Sequence, residues 1–169
     1  MIDATDKIKM KISGLTIDPF TNMPIVILKD EAGKIALPVW IGLIEASAIA
    51  VEFERSGSPR PLTHDLIRQL LEELNAQVEH VEITDLADNT FFAELHVVAG
   101  PKSFVLDCRP SDALAIAIRT QSAILVHQAV IDKTREIQAS QQNADEAREQ
   151  KWAEILESLE PEDFGKYKM

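Results

Sequence analysis

Glu45-Ala46-Ser47-Ala48-Ile49-Ala50 returns in kind as Asp112-Ala113-Leu114-Ala115-Ile116-Ala117. Each copy follows a stretch that reads as three strands, and each opens an apolar helix with a carboxylate. Self-similarity on that scale is the mark of a duplicated supersecondary unit. The expected architecture is therefore α+β: two strand–strand–strand–helix units forming a mainly antiparallel sheet with packed helices. An acid in a helix's first turn complements the macrodipole, and this explains Glu45 and Asp112 singly. If the copies pack about a pseudo-twofold axis, the two acids can also meet at a common surface.

Outward from the repeat, the periodicity supports this layout. Residues 8–18 alternate Ile8, Met10 and Ile12 with polar neighbours, as a half-buried strand does. Pro24–Leu28 and Ile35–Ile41 flank Asp30-Glu31-Ala32-Gly33, a hairpin signal. The apolar helix after Gly42 is expected to be largely buried, and Trp40 to belong to the core. Thr63 is a suitable N-cap for a helix carrying Leu66, Ile67, Leu70, Leu71 and Leu74 on one face. Val78–Leu86, Thr90–Val98 and Ser103–Cys108 read as a meander with turns at Asp88-Asn89 and Gly100-Pro101. Pro110 suits the first turn of the next helix, and Ile124-Leu125-Val126 makes a last short strand.

From residue 133 the chain changes character, so a domain over 1–132 and a charged helical tail over 133–169 are expected. Within the tail, Gln138–Ala144 reads as a joint. Trp152, Ile155, Leu156 and Leu159 make an apolar helical stripe, and Phe164-Gly165-Lys166-Tyr167 reads either as an anchor on the body or as a mobile end.

Composition narrows the function. Of 169 residues 46% are apolar, enough for a packed core, yet no apolar run is long enough to span a bilayer. Met1–Lys7 lacks the basic-then-apolar order of a secretion signal, so a soluble, cytoplasmic protein is expected. Cys108 has no second cysteine for a disulfide and reads as a small buried residue at a strand end. The formal charge of −11, of which residues 131–169 supply −4, argues against a high-affinity non-specific binder of nucleic acid unless cations cluster or metal ions intervene.

Phosphate-binding GxxxxGK[ST], HExxH, CxxC and GxSxG motifs are all missing. Two polar segments remain. Arg60-Pro61-Leu62-Thr63-His64-Asp65 runs into a helix N-terminus, where free N–H groups favour anions; Arg60 and His64 can bind phosphate there. The plainer reading has Thr63 capping and Asp65 complementing the dipole. Asp107-Cys108-Arg109-Pro110-Ser111-Asp112 packs two acids, a guanidinium and a hydroxyl into six residues. Its carboxylates suit Mg²⁺ or Mn²⁺, and Arg109 suits a phosphate; a structural ion pair of Arg109 with Asp107 or Asp112 is the alternative. His80, His96 and His127, spread along the strands, read as packed or surface residues.

These segments, with Leu37-Pro38-Val39-Trp40-Ile41-Gly42 followed by Glu45-Ala46 and with Thr90-Phe91-Phe92-Ala93, resemble the bifunctional nuclease domain family from about Met10 to Asp132. Cys108 stands where that family's pattern suggests a smaller residue such as Ala. The resemblance implies the duplicated α+β fold, homodimers, and cleavage of both RNA and DNA. The function expected is thus a nuclease of low sequence specificity, a phosphodiesterase. Glu45, His64, Asp107 and Asp112 are the candidate catalytic residues; Arg60, Arg109 and Ser111 bind substrate; Glu45, Asp107 and Asp112 hold the metal. The competing expectation is a non-enzymatic dimeric scaffold or a module that senses a phosphorylated ligand.

Overall fold

The computed structural model describes residues 6–158. Its first half runs β1 (Lys7–Ile17), β2 (Pro24–Asp30), β3 (Ala36–Trp40) and α1 (Leu43–Phe53). After α2 (Thr63–Glu73) come β4 (Ala76–Ala87), β5 (Thr90–Ala99), β6 (Lys102–Cys108) and α3 (Pro110–Thr120), then β7 (Ala123–His127) and α4 (Gln128–Ser158). The strand–strand–strand–helix unit is present twice, with α2 inserted between the copies. One boundary between compact units falls between Asp132 and Lys133. No helix among the described residues is long and apolar enough to cross a membrane.

All seven strands lie in one sheet of order β3-β2-β1-β7-β4-β5-β6. Each meander steps outward from the centre, and β7 fills the gap between them. Because β7 is antiparallel to β1 but parallel to β4, the two meanders run in opposite directions, as a pseudo-twofold axis normal to the sheet requires. Tight connections carry the residues that tolerate positive φ: Gly33 after β2, Asp88 and Asn89 between β4 and β5, and Gly100 between β5 and β6.

Strand alternation sends Val26, Leu28, Leu37 and Val39 from one meander, and Val81, Ile83 and Leu95 from the other, into the core. α3 meets them with the unbroken buried run Ala113–Ala117, whose small residues let the helix backbone approach the sheet. Each fully buried Leu, Ile or Val contributes roughly 1.5–3 kcal/mol.

Four expectations need correcting. α1 buries only Ala46 and Ile49, while Leu43 and Ile44 are 73% and 84% exposed; a helix apolar on all sides does not specify which stripe meets its neighbour. α2 likewise packs His64 inward and leaves Leu66, Leu70 and Leu74 exposed. Trp40 is 41% exposed, and its indole N–H donates to Asp18 Oδ2 at 3.1 Å. Gln138–Ala144 is no joint, because α4 runs through it; Gln and Ala favour helix, and Ser140 Oγ donates back to the Glu136 carbonyl. Leu159 and Phe164–Tyr167 lie outside the described residues, as do the side chains of Trp152, Ile155 and Leu156.

Candidate active site

The first turns of three helices meet in one chain of hydrogen bonds. Glu45 lies in the first turn of α1, His64 in that of α2 and Asp112 in that of α3. Arg109, immediately before α3, joins them: its Nε donates to Asp112 Oδ2 at 2.8 Å and its Nη1 to Glu45 Oε1 at 2.8 Å. The other carboxylate oxygen of Asp112 lies 2.9 Å from His64 Nε2. The related acids of the two repeats thus do reach a common surface, bridged by one guanidinium.

Exposure grades along the chain. The Arg109 side chain is 66% exposed, Glu45 and Asp112 are partly covered, and the His64 side chain is only 11% exposed. Burial alone pushes the Asp112 carboxyl up, but the hydrogen bonds from Arg109 and His64 outweigh it and hold Asp112 below the ordinary 3.8. The Arg109 guanidinium is shifted upward, chiefly by Asp112 and then by Glu45. Gly42, the residue before α1, makes room for this arrangement, since a Cβ there would run into the Glu45 carboxylate.

A buried arginine fixes the three helices behind the site. Arg119 is 1% exposed at its side chain; its Nε donates to Asp65 Oδ1 at 2.6 Å, its Nη1 to the Ala115 carbonyl and its Nη2 to the Ala48 carbonyl, both at 2.9 Å. It therefore touches α1, α2 and its own helix α3 at once. Asp65 Oδ2 accepts the Leu62 N–H at 2.7 Å, closing the α2 N-terminus. Thr63 is the first helical residue rather than the cap, and Asp65 performs that service. Burial raises the Asp65 pKa, but the Leu62 N–H and Arg119 outweigh it, leaving Asp65 below its ordinary value.

Residues 26–139 match the family model of the bifunctional nuclease domain. This chain belongs to that family. An uncharacterized protein of Mycobacterium tuberculosis is 36% identical over 164 residues, covering 92% of this chain and 97% of its own. Bifunctional nuclease 2 of Oryza sativa subsp. japonica is 24% identical over 69% of this chain, and bifunctional nuclease 2 of Arabidopsis thaliana 27% identical over 60%. This chain spans 37% and 32% of those two plant proteins.

Within the bifunctional nuclease domain, the structure assembles Glu45, His64, Arg109 and Asp112 and leaves three expected residues out. Asp107 is exposed on edge strand β6 opposite Glu94, whereas the next residue, Cys108, pairs with core-facing Ala93. Side chains alternate along a strand, so Asp107 faces away from the helices and is no partner of Glu45 or Asp112. Cys108, expected to be buried, is half-buried at the end of β6, and burial, followed by the nearby Asp112, Asp107 and Glu94 carboxylates, raises its thiol to about 11. Ser111 is buried in the first turn of α3, and Arg60 is exposed before α2. Arg119 is what the reading of the sequence missed. Set between Ile118 and Thr120, it has no local signal to separate it from a surface arginine.

Proposed function

We propose that this chain is a phosphodiesterase that cleaves RNA and DNA with low sequence specificity at the Glu45–Arg109–Asp112–His64 chain. The observation that carries the reading is the meeting of three helix N-termini around an exposed arginine. N-terminal N–H groups and helix dipoles favour anions, so a backbone phosphate finds there a guanidinium and oriented dipoles together. Arg109 binds the phosphate and stabilises the charge that develops on it. His64, oriented by Asp112, moves a proton to or from the reacting oxygens through its remaining ring nitrogen. The family match supports nucleic acid as the substrate class.

Glu45 and Asp112 are the hard oxygen donors that Mg²⁺ or Mn²⁺ requires, and both already point at one cation, Arg109. With Arg109, which is exposed, turned to the phosphate, Glu45 and Asp112 would hold a divalent ion, and it would supply Lewis-acid polarisation of a phosphoryl oxygen. Asp107 has no place in that set. The exposed Leu66 and Leu70 of α2 and Leu74 at its C-terminal cap, four residues apart, support homodimer formation. One observation favours the second reading, a module that binds a phosphorylated ligand without cleaving it: both Asp112 oxygens are already occupied and His64 is nearly enclosed.

The test is cleavage of end-labelled RNA and DNA by the purified full chain, with and without EDTA, beside Asp112→Ala. Cleavage that EDTA abolishes and the substitution removes supports the metal-assisted nuclease. Phosphate-dependent thermal stabilisation with no cleavage supports the binding module.

A further inference from the structure

On the sheet face turned away from α1–α3, a carboxylate is buried among imidazoles. Glu82 of β4 is 3% exposed. Its Oε1 lies 2.9 Å from His80 Nε2 and 3.7 Å from His96 Nε2, and its Oε2 lies 2.9 Å from His127 Nε2. His80 and His96 are direct cross-strand partners on β4 and β5, and their rings stack with centroids 4.1 Å apart. The ligand atoms of His80, Glu82 and His96 all fall within 4.8 Å of one another. His96 Nε2 is buried and has no hydrogen-bond partner, which a native interior rarely leaves unanswered.

We propose that His80, Glu82 and His96 form a binding site for a transition-metal ion of the Zn²⁺ class, separate from the Glu45–Asp112 centre. Two imidazole nitrogens and one carboxylate are the donor set that zinc accepts and magnesium does not favour. A cation between them gives a bonded partner to His96 Nε2, which stands 3.4 Å from Glu94 Oε2 without a hydrogen bond to it. His127 holds the second oxygen of Glu82 and so fixes the carboxylate's orientation, the outer support that metal sites regularly use. The remaining coordination position falls to water.

Lys7 competes for this place: its Nζ donates to Glu82 Oε1 at 2.6 Å. Its side chain is 27% exposed, so it can leave for solvent when a divalent ion arrives. A bound ion ties β4 to β5 and, through His127, to β7 at the centre of the sheet. The strand spacing of His80 and Glu82, two residues apart, puts both on one face, and the register of β5 brings His96 beside them.

The experiment is calorimetric titration of the chelator-stripped full chain with Zn²⁺ alone, repeated on His96→Gln, His80→Gln and Glu45→Gln. Expected are one high-affinity zinc per chain and a rise in thermal midpoint on loading. Removing either histidine weakens binding by at least about 100-fold, beyond the usual cost of losing an outer support. Glu45→Gln leaves the zinc affinity unchanged, which separates this site from the proposed nuclease centre. Co²⁺ in place of zinc gives the visible absorption of a four-coordinate ion. Failure of the wild-type chain to bind zinc overturns the proposal whatever the variants do. So does a zinc affinity that both histidine variants retain, or one that falls only in Glu45→Gln.

Discussion

Arg109 divides its donors between two carboxylates from different repeats, and this division defines the site more sharply than any single acid. A lysine keeps the charge but offers no planar fork with separate Nε and Nη1 donors. Arg109→Lys is therefore expected to lower kcat/KM for RNA cleavage by about 10²–10³-fold, the usual cost of losing an oriented donor to a developing negative charge; steady-state kinetics on a labelled oligonucleotide read this directly. Gly42 permits a second prediction. Its added methyl meets the flexible end of Glu45, which can move aside, so Gly42→Ala should cost little stability yet detach Glu45 from Arg109. Activity falling much further than the thermal midpoint is the expected pattern, and equal losses of both would contradict it. At this scale the sequence was partly legible. The echo of Glu45 and Asp112 is visible in the repeat, and Arg109 and His64 stand in polar segments at helix starts. Asp107 was misplaced because strand parity depends on register, which the pairing of β5 with β6 fixes and composition does not.

Arg119 makes the three helices one unit. Removing one member of a buried ion pair leaves the rest of the cluster unsatisfied, so Arg119→Met should destabilise the domain by about 3–5 kcal/mol. Urea unfolding followed by circular dichroism measures it. Its partner Asp65 adds a dependence on pH. The Asp65 pKa is lowered on folding, so its stabilisation is present above the ordinary 3.8 and is lost as pH falls through the lowered value. Asp65→Asn should therefore lose less stability than the wild type when acidified below that range, as thermal melts at stepped pH will show. The elements themselves were largely readable, since alternation and 3.6-residue periodicity mark the strands and helices well. What periodicity could not supply was the facing of α1 and α2. Both carry more apolar surface than the neighbouring elements cover, and only tertiary packing selects Ala46 and Ile49, or His64, as the inward side. The histidines show the same limit. His80, His96 and His127 are scattered in sequence and meet at Glu82 because β5 pairs His96 with His80 while β7, inserted beside β4, brings His127.

For the whole molecule, duplication and charge pull in different directions. Two copies of one unit about a pseudo-twofold axis bring the helix starts together and create a place where an anion is welcome. A formal charge of −11 opposes the approach of nucleic acid at long range. Such a protein suits transient contact with a phosphodiester backbone better than tight, extended binding. The central claim is that one hydrogen-bonded chain, Glu45–Arg109–Asp112–His64, is the catalytic centre. It is tested most directly by the cleavage rate of labelled single-stranded RNA under wild-type protein and His64→Ala, purified in parallel and matched by circular dichroism. The account predicts a rate at least about 100-fold lower in the variant, as expected for loss of a general acid–base. A folded His64→Ala that cleaves as fast as the wild type would contradict it.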